Sequence, residues 1–163
     1  ALTESSSDIL FQNPASLRGF ESMLHDEDFN ELQSMWPLAE VKLAVYRENR
    51  SIMLEVLERE LGAYPDQFKW TKPEAGFFSV FTINVPGVKT DDEFVEKLVA
   101  DYGVVVIPMY DFYPADAKER NPFIGFDQLR LSFCFSESLG EERRQDLREA
   151  VEAFCNAMKE LIS

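Results

Sequence analysis

The longest regular hydrophobic pattern in the chain begins at Pro37 and ends at about Leu61. Its apolar residues recur in three- and four-residue steps, as on one face of an α-helix, at Leu38, Val41, Val45, Ile52, Val56 and Leu61. The stripe is interrupted near Asn49, and Gly62 follows it as a C-terminal stop. The pattern predicts a helix of about 25 residues, roughly 37 Å long. A helix of this length often connects two domains.

Short strands are predicted after this helix. Four apolar segments bounded by Gly, Pro or polar residues have the length and composition of strands, at 67–71, 77–85, 104–107 and 128–135. The last is the clearest, because Leu129, Leu131, Phe133 and Phe135 alternate with polar residues. Residues 110–126, which are rich in aromatic side chains, are predicted as a loop.

Two helices complete the pattern, each preceded by a Ser/Thr-x-x-Glu capping box. Thr90 and Glu93 introduce a helix over 91–102, which Gly103 ends. Its predicted buried residues are Phe94, Val95, Leu98 and Val99. Ser138 and Glu141 introduce the last helix. The order of elements predicts an α+β fold, in which helices cover one face of a small mixed or antiparallel sheet. Residues 1–36 are predicted to form a separate helical segment, and residues 37–163 are predicted to form the domain.

The composition of the chain argues against several classes of binding partner and site. The chain has 163 residues and a formal net charge of −14, which argues against nucleic acid or an anionic membrane surface as partner. No apolar run approaches the roughly 18–20 residues that cross a bilayer. With two cysteines and one histidine, the sequence predicts neither a metal site nor a disulfide framework, and a cytoplasmic location is expected.

Arg130 is the strongest candidate for a functional residue, because an arginine in the middle of an apolar strand is costly unless something pairs with it. Its planar guanidinium group can donate two parallel hydrogen bonds to a carboxylate. The alternative is an ion pair with one of the 30 acidic residues of the chain. Tyr110 and Phe112 follow a predicted buried strand, where loops often form the walls of binding sites. Their alternative role is simple packing. Lys72 precedes a proline in a turn and is predicted to be solvated.

Three segments, taken in order, resemble the C-terminal part of class I/II aminotransferases. The turn 72–78 (Lys-Pro-Glu-Ala-Gly-Phe-Phe), the strand 102–108 (Tyr-Gly-Val-Val-Val-Ile-Pro) and the strand 128–133 (Gln-Leu-Arg-Leu-Ser-Phe) carry the match. The resemblance covers nearly the whole chain, and the valine–pyruvate type is the most similar. It implies the small domain of a fold-type-I enzyme that uses pyridoxal 5′-phosphate (PLP), with a long interdomain helix at its start.

By this resemblance, Arg130 binds the α-carboxylate of an amino acid or 2-oxo acid substrate, and Tyr110 and Phe112 face the substrate side chain. The lysine that anchors PLP lies upstream in the family, and no lysine precedes Lys42 here. No catalytic and no cofactor-binding residue is therefore assigned. The resemblance implies that the chain is not catalytic alone, that it needs the missing large domain or a companion fragment, and that the complete enzyme is a homodimer. Met109 departs from the glycine that is usual after the strand's proline.

Two other functions are compatible with the sequence. The chain could be a non-catalytic, aminotransferase-like domain that senses a ligand for regulation. It could also be an unrelated α+β binding module. A lysine in a Ser-x-x-Lys-like context on a companion polypeptide would favour the enzyme, whereas a basic helix-turn-helix would favour the regulator.

Overall fold

The computed structural model describes residues 24–25, 36–134 and 140–162, with only the backbone at positions 37 and 38. Contacts divide the chain into two units, Ala1–Lys42 and Leu43–Ser163. The first unit falls mostly outside the described residues, as do Ser138 of the second predicted capping box and Phe135. The fold described below is that of the second unit, together with the helix that leads into it.

The predicted long helix is confirmed as α1, Trp36–Leu61. It ends where Gly62 N–H donates to Glu58 O at 3.0 Å. A Cβ at Gly62 would lie 2.4 Å from that carbonyl oxygen, which explains why glycine stands there. Among the described residues of the predicted stripe, Ile52, Val56 and Leu61 are buried, whereas Val41 is 73% exposed.

Four strands form one antiparallel sheet, as the sequence predicted. They are β1 (Phe68–Trp70), β2 (Phe78–Ile83), β3 (Ile107–Pro108) and β4 (Gln128–Ser132), in the spatial order β1-β2-β4-β3. Val80 pairs with Arg130, and Arg130 pairs with Ile107 on its other side. Because side chains alternate along a strand, these three residues share one face of the sheet. The strands are shorter than predicted, and residues 104–106 lie outside β3.

Three further helices are described in this unit: α2 (Asp92–Tyr102), α3 (Ala115–Arg120) and α4 (Gly140–Glu160). The first predicted capping box is wrong. The N-cap of α2 is Asp91, whose carboxylate accepts a hydrogen bond from Phe94 N. Thr90 is buried, and its hydroxyl donates to Gln128 O at 2.9 Å, so it fastens β4 instead. Gly103 ends α2 in the left-handed conformation, as predicted.

The segment 110–126 was predicted to be one loop, and this prediction is wrong. It begins within a short 3-10 helix, Met109–Phe112, and then contains α3. Pro114 directly precedes α3, where its fixed φ and missing N–H cost nothing. An ion pair between Arg120 and Asp116, at 3.0 Å, joins exposed side chains one turn apart on this helix.

The core lies on one face of the sheet, between the strands and helices α1 and α4. The alternating residues Phe81, Leu129 and Phe68 are fully buried there. The Phe81 ring meets the Phe154 ring of α4 edge-to-face, with centroids 5.0 Å apart. Val99, which was predicted to be buried, is 44% exposed. No helix of the described residues is long and apolar enough to cross a membrane.

The interruption of the α1 stripe at Asn49 has a structural cause. Asn49 is fully buried, and its side-chain amide donates to Phe133 O at 3.0 Å, just beyond β4. Arg143 of α4 is also buried and donates to Asn49 Oδ1, to the Glu48 carboxylate and to Val45 O. This polar cluster joins α1, the end of β4 and α4 inside an otherwise apolar layer.

Candidate functional site

The second face of the sheet carries Arg130. Phe78 and Ile107 on this face are 36% and 43% exposed, and Val105, just before β3, is 78% exposed. The register places Val80 and Ile107 directly beside Arg130. The arginine therefore lies on a largely apolar surface that the core helices do not cover.

The guanidinium of Arg130 contacts aromatic rings rather than carboxylates. Its Cζ lies 4.4 Å from the centroid of the Phe78 ring and 5.1 Å from that of Phe112. Its Nε is buried and has no hydrogen-bond partner. No carboxylate of the described residues forms an ion pair with it. The sequence-based alternative, a pair with a neighbouring acid, is therefore not found in this part of the chain.

A buried N–H without an acceptor is unfavourable by about 1–3 kcal/mol. Such a group needs an explanation in a native structure, because buried donors are nearly always satisfied. The donor belongs to the residue that the sequence singled out as costly. It lies beside an exposed ring, Phe112, at the surface of the domain. A ligand with an acceptor, such as a carboxylate, would supply the missing partner.

The structure brings only one of the two predicted aromatic residues to the arginine. Phe112 is half exposed and faces Arg130. Tyr110 stacks on Phe126, with ring centroids 4.3 Å apart, and the Lys118 ammonium lies 4.0 Å from its ring centroid. Tyr110 therefore anchors the 3-10 helix, while Phe112 projects from it towards the arginine.

Two further residues hold this aromatic segment against β4. The Tyr113 hydroxyl is hydrogen-bonded to Gln128 Oε1 at 2.9 Å. Gly125 has a φ of +80°, and a Cβ there would lie 2.7 Å from the Tyr113 ring and 2.9 Å from Tyr110 N. Only glycine permits this close approach. Sequence reasoning missed both contacts, because they join residues that are 12 to 15 positions apart.

Sequence reasoning also missed Phe78. The available signal was strand alternation, which places Phe78 and Val80 on the same face of β2. The register of β2 with β4 then brings Phe78 diagonally next to Arg130. That register cannot be read from either strand alone.

The other candidate nucleophiles are not arranged for catalysis. The Lys72 side chain is 65% exposed and pairs with Glu58 at 3.1 Å, so it is solvated, as predicted. Burial raises the pKa of the Cys155 thiol to about 12, so this thiol stays protonated at neutral pH.

Arg50 donates to Pro73 O at 2.8 Å and thereby holds the turn that leads into β2.

Comparisons with known proteins were made by family, by sequence and by structure. No family model matches the chain. The (S)-3,5-dihydroxyphenylglycine transaminase of Amycolatopsis orientalis is 41% identical over 91 residues, which are 56% of this chain and 18% of that protein. The multiple-substrate aminotransferase of Thermococcus profundus is 30% identical, with a TM-score of 0.54. The match covers 73% of this chain and 25% of that structure.

A third match is the alpha-aminoadipate aminotransferase of Thermus thermophilus, solved with N-(5′-phosphopyridoxyl)-L-leucine. It is 25% identical with a TM-score of 0.54, over 73% of this chain and 26% of that structure. These relatives are aminotransferases. The described α+β domain, with its four-stranded antiparallel sheet, has the fold of the matching part of these enzymes. The chain spans about a quarter or less of the length of the aminotransferases it matches.

Proposed function

We propose that this chain is the C-terminal small domain of a PLP-dependent aminotransferase, in which Arg130 binds the α-carboxylate of the substrate. The observation that carries the proposal is the buried Arg130 Nε, which has no partner, on a sheet face that the core helices leave uncovered. The aminotransferase relatives support the reaction class. In the complete enzyme, an amino group moves from an amino acid to a 2-oxo acid.

The environment of Arg130 suits a carboxylate for physical reasons. A planar guanidinium donates two parallel N–H bonds to the two oxygens of a carboxylate, and such charge-assisted bonds are about twice as strong as neutral ones. Apolar neighbours such as Val80 and Ile107 offer no polar group that competes with a ligand for the guanidinium. Phe112, which lies beside Arg130, and Tyr110 of the same 3-10 helix are proposed to face the substrate side chain.

The residues of this chain do not fit the anchor of PLP. All of its lysines lie among the described residues, and none of them is buried. A lysine that forms a Schiff base requires desolvation to lower its pKa. We infer that PLP, which supplies carbanion stabilisation when bound, is held by the missing large domain or a companion chain. This chain contributes substrate binding and domain closure.

The resemblance implies the oligomeric state and the type of the enzyme, and the use of cysteine implies its location. The complete enzyme acts as a homodimer in the cytoplasm, and the valine–pyruvate type is the nearest in sequence motifs. The relatives give no support to the alternative of a ligand-sensing regulatory domain, because each of them is an aminotransferase.

The proposal is tested by amino transfer in the complete protein supplied with PLP. An ¹⁵N-labelled amino acid and a 2-oxo acid are mixed, and the label is followed by mass spectrometry. Arg130→Leu should raise KM and lower kcat/KM about 100-fold, since two charge-assisted hydrogen bonds are lost. Arg120→Leu, which removes an exposed arginine paired with Asp116, serves as the matched control and should leave both parameters unchanged. Absence of label transfer by the complete protein would refute the function. Unchanged kinetics of Arg130→Leu would refute the role of the arginine.

A further inference from the structure

The two phenylalanines at Arg130 come from different parts of the fold. Phe78 is the first residue of β2 and lies diagonally across from Arg130 on the same face of the sheet. Phe112 is the last residue of the 3-10 helix that follows β3. Their ring centroids are 4.4 and 5.1 Å from the guanidinium carbon, within the range of cation–π attraction.

An aromatic ring holds a guanidinium differently from a carboxylate. The ring attracts the flat face of the cation, whereas a carboxylate accepts the N–H bonds that point outward in its plane. A structural carboxylate would therefore occupy the same donors that a ligand needs. The rings restrain Arg130, and no described residue occupies its guanidinium donors.

Both rings are held by the framework of the domain. The backbone at Phe78 is paired with Ser132 in the β2–β4 ladder. Phe112 directly precedes Tyr113, whose hydroxyl bonds to Gln128, two residues before Arg130 on the same strand. The aromatic segment is therefore attached to β4, the strand that carries Arg130, and this attachment restrains the distance between Phe112 and the arginine.

We propose that Phe78 and Phe112 are positioning residues, which hold the Arg130 guanidinium so that its in-plane donors meet a ligand carboxylate. The inference rests on the proposed carboxylate-binding role of Arg130 and deepens it. Neither ring takes part in the chemistry. Without them, the arginine keeps its charge but samples more rotamers, and part of the binding energy is lost in ordering it.

The test uses two synthetic probes and the complete protein prepared without bound cofactor. N-(5′-phosphopyridoxyl)-L-alanine carries the carboxylate, and its carboxamide analogue is the uncharged reference. The measured quantity is the ratio of the two dissociation constants. Phe78→Leu and Phe112→Leu should each reduce the preference for the carboxylate about fivefold, as expected for loss of one cation–π contact. Phe78→Tyr and Phe112→Tyr keep the ring and should restore the preference.

Phe123→Leu is the matched control. This ring also faces a cation, Lys89 at 5.7 Å, and is 67% exposed, but it makes no contact with Arg130. It should leave the ratio unchanged. Because Phe112 is half exposed, Phe112→Leu is expected to fold, and it carries the test even if Phe78→Leu does not.

Two results would overturn the inference. One is an unchanged ratio in Phe112→Leu. The other is an equal loss for both probes, which would indicate general damage to the site rather than loss of positioning. Arg130→Leu separates this failure from that of the proposed function. If Arg130→Leu abolishes the preference while Phe112→Leu keeps it, only the positioning role is wrong. If Arg130→Leu also keeps it, the carboxylate-binding role itself is wrong.

Discussion

Two arginines of the domain, Arg143 and Arg130, have opposite environments. Arg143 is 4% exposed and donates to the Glu48 carboxylate, to Asn49 and to a backbone carbonyl. Arg130 lies between aromatic rings, and its buried Nε has no acceptor. The first arginine is satisfied by the chain itself, whereas the Nε of the second has no acceptor among the described residues.

This difference is the one expected between a structural arginine and the binding arginine that we propose. A cation enclosed by its own acceptors holds elements together, here α1 and α4, and its removal damages the fold. A cation that lies between aromatic rings and has no acceptor from its own chain is expected to contribute less to stability and more to recognition. Acidic residues are abundant in this chain, so the lack of an ion pair to Arg130 in the described part cannot be explained by composition.

The largest effect is expected for Arg143→Met. The substitution removes the donor to Asn49 and leaves the Glu48 carboxylate without this partner, which should lower the free energy of unfolding by about 3 kcal/mol. Urea unfolding measures it. Arg148→Met is the matched control on the same helix, because Arg148 makes only an exposed pair with Glu141. Equal losses in the two variants would contradict the structural role of the buried cluster.

A smaller effect is expected for Gly125→Ala, which should destabilise the protein by about 2 kcal/mol and also weaken carboxylate binding. The new Cβ meets the Tyr113 ring and requires a strained positive φ. Gly76→Ala is the control, since it has a similar φ of +89° but open space around it. It should cost about 1 kcal/mol and leave binding intact. Thermal unfolding and binding of the carboxylate probe check both. Identical behaviour of the two variants would show that the contact with Tyr113 is unimportant.

The smallest effect is the loss of stability expected when Glu48 is protonated at low pH. Hydrogen bonds from Arg144, and then from Arg143, lower the pKa of the Glu48 carboxyl below its usual value of 4.5. The unfolded chain therefore takes up this proton at a higher pH than the folded chain. The stability that Glu48 contributes is present above about pH 4.5 and is lost as the pH falls further. Urea unfolding from pH 6 to pH 3 should show a shallower decline in Glu48→Gln than in the unchanged protein. Parallel curves would contradict the assignment.

Much of the fold could be predicted from the sequence, because periodicity is a local property. The stripe that ends at Leu61 gave α1, and alternation from Leu129 gave β4. The capping box at Thr90 failed because its hydroxyl bonds to Gln128, 38 positions away. The helical turns within 109–120 were missed because prolines and aromatics dominate that segment.

The candidate site could be predicted only in part. Arg130 was identifiable because a charge in an apolar strand is expensive, and Phe112 was identifiable as part of an aromatic segment after a strand. The contact between them, and that with Phe78, depends on the β2–β4 register and on Gly125. These are tertiary features, which no local pattern encodes. The buried hydrogen bonds of Asn49 with Phe133 and Arg143 were indicated in the sequence only by an interruption of the apolar stripe.

The central claim is that Arg130 is a binding and not a structural arginine. The most direct test measures, for Arg130→Leu, both unfolding of the chain and binding of the carboxylate and carboxamide probes by the complete protein. We predict about a 100-fold weaker affinity for the carboxylate probe, an unchanged affinity for the carboxamide, and a change in unfolding free energy below about 1 kcal/mol. A large loss of stability with an unchanged preference for the carboxylate would contradict the claim.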